Sequence, residues 1–255
     1  RGLNQFQYGN ISNVTGNSSL QNDAILSLAP AQDGSLWVGM YSTGLIKWKD
    51  GKVQENYGDS SPIFGSQIRA LLEDKQGNLW VGSSAGLFRK NGSQIKKINE
   101  NDGLPHNFII SLFQSKSGRV WIGTANGLGY IDGDKVGSID LTPYHSSQNV
   151  FGFSEDSDGT LWIATDRAVL RFRDGKIVAI GTKEGMPIAT VFQIVVDKYT
   201  NFWLTSNRGV FYIKRANLEA VADGKSKQVN AINFAEADGM ASAQCNGGAG
   251  PAAMR

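Results

Sequence analysis

Five tryptophans recur along the chain at a nearly constant interval, and this regularity constrains the fold more than any other feature. They are Trp37, Trp80, Trp121, Trp162 and Trp203, and successive members are separated by 43, 41, 41 and 41 residues. Each stands in a short β-forming run, such as LWVG or VWIG, that follows a polar turn. Self-similarity at a period of about 40 residues indicates a repeat architecture.

Each repeat is typical of four short antiparallel strands. An apolar run, such as ILSLAP from Ile25 or IRALLE from Ile68, precedes the tryptophan strand, and a run such as GLFRK follows it. Asp-Gly, Asn-Gly and Gln-Gly pairs between the runs supply the positive φ angles of tight hairpins. A weaker fourth strand, such as QIKKIN, completes the unit. Four strands per repeat with little helix predict an all-β fold, a β-propeller with five complete tryptophan-containing repeats and partial terminal strands.

The period divides residues 1–255 into one propeller domain or propeller segment. We place the repeats at roughly 23–64, 65–105, 106–146, 147–187 and 188–229, and residues 230–255 form the start of a further blade. Arg1 to Asn22 supply only a fourth-strand-like piece, LNQFQYG, and a linker. The only predicted helix is NLEAVADG, with Asn217 as N-cap and Gly224 as C-cap. Since the chain lacks an initiator Met, we expect it to be excised from a longer protein.

The third residue of each first strand is small in four of the five repeats. The residues at this position are Ser27, Ala70, Ser111, Gly152 and Gln193. Strands that converge on a central axis leave little room there, which favours a propeller over an open array. The repeated tryptophan then has a structural explanation, because each blade needs one large ring to fill the wedge beside its neighbour.

The composition excludes several classes of function. A formal net charge of +2 does not indicate nucleic-acid binding, which usually requires a strong basic excess. His106, His145 and Cys245 are too few for a zinc cluster, so no metal and no cofactor is predicted. No apolar run approaches the roughly 18–20 residues that span a bilayer. We therefore expect contact with a membrane only through segments outside this chain.

The repeats resemble those of the two-component regulator propeller family. IRALLEDKQGNLWVGSSAGLFRK from Ile68 and IISLFQSKSGRVWIGTANGLGYI from Ile109 match the family pattern, and NDGLPHNFI from Asn101 matches its linker. Two repeats depart from it. The fourth has Ala164 and Ala168 in place of glycine, and the fifth has Tyr199-Thr200-Asn201 in place of its glycine turn. We expect looser or rearranged turns in those two blades.

The resemblance implies a role in bacterial signal transduction. Such propellers usually form the extracytoplasmic, periplasmic sensor part of an inner-membrane receptor whose output module is a histidine kinase or a diguanylate cyclase. The implied ligand is a small molecule or an oligosaccharide, and this segment is implied not to be an enzyme. Self-association is expected through open propeller edges or through dimerisation of the parent receptor.

The candidate ligand site lies on one face, where the linkers before the first strands meet the loops after the tryptophan strands. The candidates are Tyr41, Arg69, His106, Asn107, Asn126, Tyr144, Asn149, Asp166, Arg167, Asn207 and Arg208. Arg69 stands in an otherwise apolar strand and needs a partner. It either lines the channel or pairs with a carboxylate such as Asp23. The sequence indicates no catalytic residues.

Two other functions remain open. Streptogramin lyases are propellers with similar DGxLW repeats and depend on a His and Mg²⁺, but the third strands here have the pattern GL-x-R and histidines are sparse. A propeller that presents a flat face to a protein partner is the other alternative. A large exposed apolar patch on the loop face would favour it.

Overall fold

A computed structural model describes residues 3–13, 23–247 and 250–253. Within these residues, five four-stranded antiparallel sheets and one two-stranded sheet carry the fold. The predicted all-β propeller is confirmed, and each four-stranded sheet is one blade with its strands in chain order. We call the first strand of each blade its inner strand. Each inner strand packs against the inner strand of the next blade, from blade 1 to blade 5.

The first three blades follow one another without interruption. Blade 1 consists of β3 (Ile25–Pro30), β4 (Leu36–Met40), β5 (Leu45–Lys49) and β6 (Lys52–Tyr57). Blade 2 consists of β7 (Ile68–Glu73), β8 (Leu79–Ser83), β9 (Gly86–Asn91) and β10 (Gln94–Ile98). Blade 3 consists of β11 (Ile109–Gln114), β12 (Val120–Thr124), β13 (Gly127–Asp132) and β14 (Lys135–Ile139).

The remaining elements include a helix within the last blade. Blade 4 consists of β15 (Val150–Glu155), β16 (Leu161–Thr165), β17 (Ala168–Arg173) and β18 (Lys176–Gly181). Blade 5 consists of β19 (Gln193–Val196), β20 (Phe202–Ser206), β21 (Gly209–Ile213) and β22 (Ala231–Phe234), with α1 (Arg215–Ala222) between its last two strands. An N-terminal hairpin consists of β1 (Asn4–Gln7) and β2 (Asn10–Asn13). Single 3-10 turns occupy Glu100–Asp102, Thr182–Glu184 and Glu236–Asp238.

The tryptophans of the first four blades fill the wedges between neighbouring sheets, as predicted. Trp37, Trp80, Trp121 and Trp162 are 2%, 2%, 3% and 0% exposed, and each packs against apolar residues of the following blade. Trp203 of blade 5 is half-buried and stacks on Phe234 of its own blade, because no sixth complete sheet packs against it in the described residues.

An aspartate in the first turn binds the polar edge of the tryptophan. The indole N–H of Trp80 donates to Asp74 Oδ2 at 2.7 Å, and the indole N–H of Trp162 donates to Asp156 Oδ2 at 2.8 Å. Blade 1 has Ala31 at the position of this aspartate, and Trp37 donates instead to Glu73 of blade 2 at 2.8 Å. A buried indole N–H requires such an acceptor. This requirement explains why blades 2, 4 and 5 place an aspartate six residues before the tryptophan.

Neighbouring blades are also joined where each inner strand ends. The sixth residue of the inner strand accepts a backbone N–H from the first turn of the preceding blade. These bonds join Gln32 N to Glu73 Oε1 (3.0 Å), Lys75 N to Gln114 Oε1 (2.9 Å) and Lys116 N to Glu155 Oε2 (2.8 Å). The fifth blade has Val196 at this position, which cannot accept. There Arg215 of α1 reaches across to the carboxylate of Asp156, with Nη2 at 2.6 Å from Oδ1.

The small residues near the axis have the packing role that the sequence predicts. The hydroxyl of Ser27 donates to Ile68 O of the next blade at 2.8 Å, and that of Ser111 donates to Val150 O at 2.9 Å. A Cβ at Gly152 would approach the Gln193 carboxamide oxygen to 2.4 Å. Larger side chains at these positions would force the inner strands apart.

The helix and the end of the fifth repeat correct two sequence predictions. The helix begins at Arg215 with Lys214 at its N-cap, so Asn217 lies inside it; its amide instead binds the loop that follows, accepting from Asn230 N. Asp223 is the C-cap, and Gly224 follows with φ 71°. The fourth strand of blade 5 is β22, beyond the predicted limit of residue 229. The reason is that the inserted helix displaces this strand along the chain, and β22 still pairs with β21.

The N-terminus also differs from the prediction, because it forms two strands where one was expected. Tyr8 and Gly9 have φ angles of 50° and 81°, close to the 49° and 77° of Asp50 and Gly51 between the third and fourth strands of blade 1. Leu3 is buried, as is Leu45 at the start of the third strand of blade 1. The hairpin therefore corresponds to the outer two strands of a blade.

The C-terminal tail connects blade 5 with blade 1. Cys245 N donates to Ser206 O of blade 5 at 3.0 Å. Further along, Gly250 pairs in parallel with β3, donating to Leu26 O and accepting from Leu28 N, both at 2.9 Å. The tail thus occupies the place of a sixth inner strand, whereas the N-terminal hairpin forms a separate two-stranded sheet.

Thr200 provides a test of backbone strain in the fifth blade. It takes φ 67° where the other four first turns have glycine. The left-handed region costs a non-glycine residue about 1–2 kcal/mol, against about 0.5–1 kcal/mol of extra chain entropy lost by glycine. We expect Thr200→Gly to raise the free energy of unfolding by about 0.5–1 kcal/mol in a denaturant titration. Lys198→Gly in the same turn should lower the free energy of unfolding. Equal losses in both variants would contradict the backbone strain assigned to Thr200.

Asp74 provides a test of the indole contact. Its carboxylate also accepts from Gln76 N and Asn78 N, and the residue is 3% exposed. Asp74→Ala leaves the buried Trp80 N–H and the turn amides without an acceptor, so we expect a loss of about 1–3 kcal/mol in the free energy of unfolding. The exposed neighbour Lys75→Ala is the control and should be near neutral. Thermal melting of the pair measures the difference.

Candidate functional site

One face of the propeller carries both sets of loops that the sequence singled out. We call it the loop face; it consists of the linkers before each inner strand and the hairpins after each tryptophan strand. In the first four blades a hairpin amide donates to the linker of the same blade. These bonds run from Tyr41 N to Ala24 O (2.9 Å), Ser84 N to Gln67 O (3.1 Å), Ala125 N to Phe108 O (3.0 Å) and Asp166 N to Asn149 O (3.2 Å).

A hydroxyl at the end of the tryptophan strand holds each hairpin in blades 2 to 5. Ser83, Thr124, Thr165 and Ser206 donate to the backbone carbonyl three residues later at 2.7–2.9 Å and accept a hairpin amide. Sequence reasoning missed these residues, although a Ser or Thr directly after each LWVG-type motif was the available signal. In blade 4 the hydroxyl of Thr165 accepts from both Arg167 and Ala168, which gives the rearranged turn expected there.

Blade 1 has Met40 where the other blades have the hydroxyl, and the Asp23 carboxylate takes the role of that hydroxyl. The Asp23 carboxylate accepts from Ser42 N (2.8 Å), Thr43 N (2.7 Å) and the Thr43 hydroxyl (2.8 Å). Burial acts to raise the pKa of the Asp23 carboxyl, but these hydrogen bonds and the one from Ala24 N outweigh it and lower the pKa below its usual value. The carboxylate therefore stabilises the hairpin that presents Tyr41.

The structure brings three predicted site residues together in blade 4. Asp166 Oδ1 accepts from Asn149 N at 3.1 Å and from Gln148 N at 2.9 Å, and the Asn149 amide lies 3.5 Å from Asp166 Oδ2. Arg167 Nε lies 3.7 Å from the same oxygen, and its side chain is 63% exposed. A guanidinium, a carboxamide and a carboxylate thus form one polar cluster, which can donate to and accept from a ligand.

Arg69 occupies a bulge in the inner strand of blade 2, where the register shifts between Ile68 and Ala70. Its Nη2 donates to the Gln67 carboxamide at 2.6 Å, and the guanidinium lies 5.0 Å from the centre of the Phe108 ring. The Asp23 carboxylate is bound by the hairpin of its own blade. Whether Arg69 lines the channel or pairs with a carboxylate stays a prediction.

The other predicted residues are spread over the loop face. His106 Nδ1 accepts from Phe108 N at 3.0 Å, and Asn107 exchanges two hydrogen bonds with Glu100. Tyr144 is half-buried against the core of blades 3 and 4. The remaining residues stand at exposed hairpin tips; these are Tyr41, Asn126, Asn207 and Arg208. Whether they bind a ligand stays a prediction.

One cavity lies in the central channel and not among these loops. It has a volume of about 640 Å³ and extends from the second to the sixth residues of the inner strands. Ligand sites are commonly about 300–1,000 Å³. The C-terminal tail forms part of the wall with Gly247 and residues 250–252, and none of the predicted site residues lines it. A separate polar cleft of about 210 Å³ lies beside Asn126 in blade 3.

The two histidines lie in different linkers. His145 Nε2 lies 2.8 Å from Glu184 Oε2, whereas His106 is in the linker to blade 3. In the described part of the chain, no group of three or more His, Cys, Asp or Glu side chains is arranged to hold a metal ion. The same residues include no helix long and apolar enough to cross a membrane.

Three segments of the chain match the two-component regulator propeller family, at residues 62–85, 103–126 and 145–167. Each segment runs from a linker through the inner strand and the tryptophan strand of blades 2, 3 and 4. The recognition made from the sequence is confirmed for these three segments, which match the repeat of that family. No curated protein sequence matches the chain.

Solved structures share the fold. The extracellular domain of a proposed hybrid two-component system from B. thetaiotaomicron is 23% identical over 95% of this chain, with a TM-score of 0.75. This chain covers 32% of that protein, about a third of its length. Virginiamycin B lyase from Staphylococcus aureus is 16% identical, with a TM-score of 0.64, over 82% of this chain and 70% of the lyase. PorZ, a surface component of the type-IX secretion system of Porphyromonas gingivalis, is 16% identical, with a TM-score of 0.58, over 87% of this chain and 35% of PorZ.

The lowered pKa of Asp23 predicts a pH dependence. A carboxyl whose pKa is lower in the folded state stabilises that state fully above its unfolded pKa of about 3.9, and this contribution is lost as the pH falls through the folded pKa. We expect Asp23→Asn to lower the free energy of unfolding at pH 7 by about 1–3 kcal/mol. The difference from the unsubstituted protein should shrink below about pH 4. Denaturant titrations at several pH values test this, with the exposed Asp59→Asn as the control for charge. A difference at pH 2–3 as large as the one at pH 7 would contradict it.

Proposed function

We propose that this chain is the ligand-sensing propeller of a bacterial signal-transduction receptor, located in the periplasm as the extracytoplasmic part of an inner-membrane protein. The output module of the receptor is a histidine kinase or a diguanylate cyclase. The repeats of the two-component regulator propeller family support this proposal. The fold shared with the extracellular domain of a hybrid two-component system is consistent with it.

The observation that carries the proposal is the loop face itself. Backbone bonds, buried hydroxyls in blades 2 to 5 and the buried Asp23 carboxylate in blade 1 hold its hairpins and linkers in fixed positions, and polar side chains project from this support. Arg167 and Tyr41 are both available to a ligand, with 63% of the Arg167 side chain and 48% of Tyr41 exposed. Functional groups on loops held by a rigid scaffold are typical of binding sites.

The ligand we propose for this face is a small molecule or an oligosaccharide. Asn149, Asp166 and Arg167 provide donors and acceptors for hydroxyl groups, and Tyr41 provides an exposed ring for stacking. Binding would favour one arrangement of paired sensor domains over another. The difference in affinity for the two arrangements is what the output module would read.

A thermal-shift screen against oligosaccharides and small metabolites tests the proposal. A ligand present at about a hundred times its dissociation constant stabilises the folded state by roughly 2.7 kcal/mol, which is visible as a rise in melting temperature. For a ligand found in this way, we expect Arg167→Ala and Asn149→Ala each to weaken binding about tenfold or more, measured by calorimetry.

Lys96→Ala, at an exposed position on the outer strand of blade 2, is the control and should bind as the unsubstituted chain does. A ligand that binds both loop-face variants as tightly as the unsubstituted chain would show that its site is not on this face. A panel without any hit from a folded sample would contradict ligand sensing by this chain for the classes tested.

A lyase activity is the second candidate, favoured by the shared fold of virginiamycin B lyase. The pair of His145 and Glu184 is the arrangement that comes nearest to a general base with an orienting carboxylate. Assay of streptogramin turnover with Mg²⁺ present decides between the two functions. Turnover that is lost in His145→Ala or His106→Ala would establish the enzyme, and no turnover would leave the sensor.

Self-association is the remaining part of the proposal. Phe6 and Ile11 face each other across the N-terminal hairpin and are 73% and 75% exposed. The half-buried Trp203 lies on the outer blade face at the other end of the blade series. These apolar surfaces lie away from the loop face, which favours contact between copies of the chain over the flat protein-binding face considered as an alternative.

A further inference from the structure

The central channel holds a cavity that the loop-face site does not use. Its walls are formed by the inner strands of all five blades and by the C-terminal tail, and its volume is about 640 Å³. The fourth residues of four of these strands present large apolar side chains to it, namely Leu28, Leu71, Leu112 and Phe153. A cavity of this size with such walls is suited to a compact apolar molecule.

The charges around the cavity define which ligands it can accept. None of the described residues that line it is Lys, Arg or His. Among the described residues of the wall, the only carboxylate is that of Glu73, at the end remote from the loop face, and both of its oxygens are bound, by Gln32 N and by the Trp37 indole. An anionic ligand would therefore be desolvated without a partner, which is costly.

One polar group in the wall has no hydrogen-bond partner among the residues that the structure describes. The carboxamide of Gln193 lies over Gly152 and accepts or donates no hydrogen bond among the described residues. Ser111, the other uncharged polar side chain in the wall, donates to Val150 O at 2.9 Å. Gln193 thus offers a donor and an acceptor to a molecule in the channel. It is the third residue of its inner strand, a position at which the other four repeats have small residues.

We propose that the channel is a second binding site, for an uncharged and mainly apolar small molecule with one neutral hydrogen-bonding group that pairs with the Gln193 carboxamide. The absence of cations from the described wall disfavours anionic ligands. The apolar fourth residues and the phenylalanines Phe113 and Phe153, which stack at 6.0 Å, supply contact area. Oligosaccharides, which carry many hydroxyl groups, would leave most of those groups unpaired here.

Fluorescence titration with two probes tests the proposal. Nile red is uncharged and apolar and carries a carbonyl acceptor, whereas anilinonaphthalenesulfonate is similar in size and anionic. We expect Nile red to bind one site per chain at least about tenfold more tightly than the sulfonate. Gln193→Lys places a cation in the wall and should make the sulfonate the tighter-binding probe, a change of about tenfold or more in the ratio of the two affinities. Gln148→Lys, on the exposed loop face, should leave this ratio unchanged.

A blocking variant locates the probe. Ala252 lies in the tail wall of the cavity, and Ala252→Trp should lower the affinity for Nile red by about tenfold or more. Ala216→Trp adds the same ring at an exposed position on α1 and should have no effect. Unchanged Nile red binding in Ala252→Trp, an unchanged probe ratio in Gln193→Lys, or no Nile red binding at all would each overturn the proposal. If Ala252→Trp does not fold, the probe ratio in Gln193→Lys decides.

Competition separates this site from the loop face. A polar ligand from the thermal-shift screen that binds equally well in the presence of saturating Nile red acts outside the channel, so the sensing function would stand whichever way the probe experiments turn out. Conversely, Nile red binding with the expected variant pattern supports the channel site even if no polar ligand is found.

Discussion

The indoles of Trp37, Trp80, Trp121 and Trp162 fill the wedges between neighbouring sheets, and a carboxylate accepts the N–H of three of them, Trp37, Trp80 and Trp162. Trp80 and Trp162 use the aspartate of their own first turn, whereas Trp37 uses Glu73 of the next blade. The ring supplies the apolar area that neighbouring sheets bury against each other, and the carboxylate removes the cost of burying the N–H. The last tryptophan, Trp203, has the bond but no complete sheet beside it.

A second set of contacts joins neighbouring blades at one end of the channel. At the end remote from the loops, backbone amides bind Glu73, Gln114 and Glu155 of the next blade and hold the inner strands together. Between blades 4 and 5 this bond is missing, and Arg215 of the inserted helix replaces it by binding Asp156. With both the wedge and the strand ends fixed, the inner strands leave an apolar space between them, and the tail encloses it.

The candidate site could be predicted only in part. The repeat identified the loop face correctly, because hairpins at equal spacing must emerge on one side of a propeller. The roles of single residues could not be read from the sequence. Asn107 is engaged with Glu100 and Tyr144 with the core, while Asp166 joins Asn149 and Arg167 into one cluster. Those pairings depend on linkers of unequal length, which the period does not describe.

The sequence by itself determined the class of fold, the number of complete blades and the place of each tryptophan, because these follow from local strand periodicity and turn chemistry. It also identified the two turns that lack glycine. Only the tertiary structure decided that residues 3–13 form a hairpin, that β22 follows the helix and that the tail lines the channel beside Gln193. The physical reason is that these features depend on contacts between segments far apart in the chain, for which the repeat supplies no local signal.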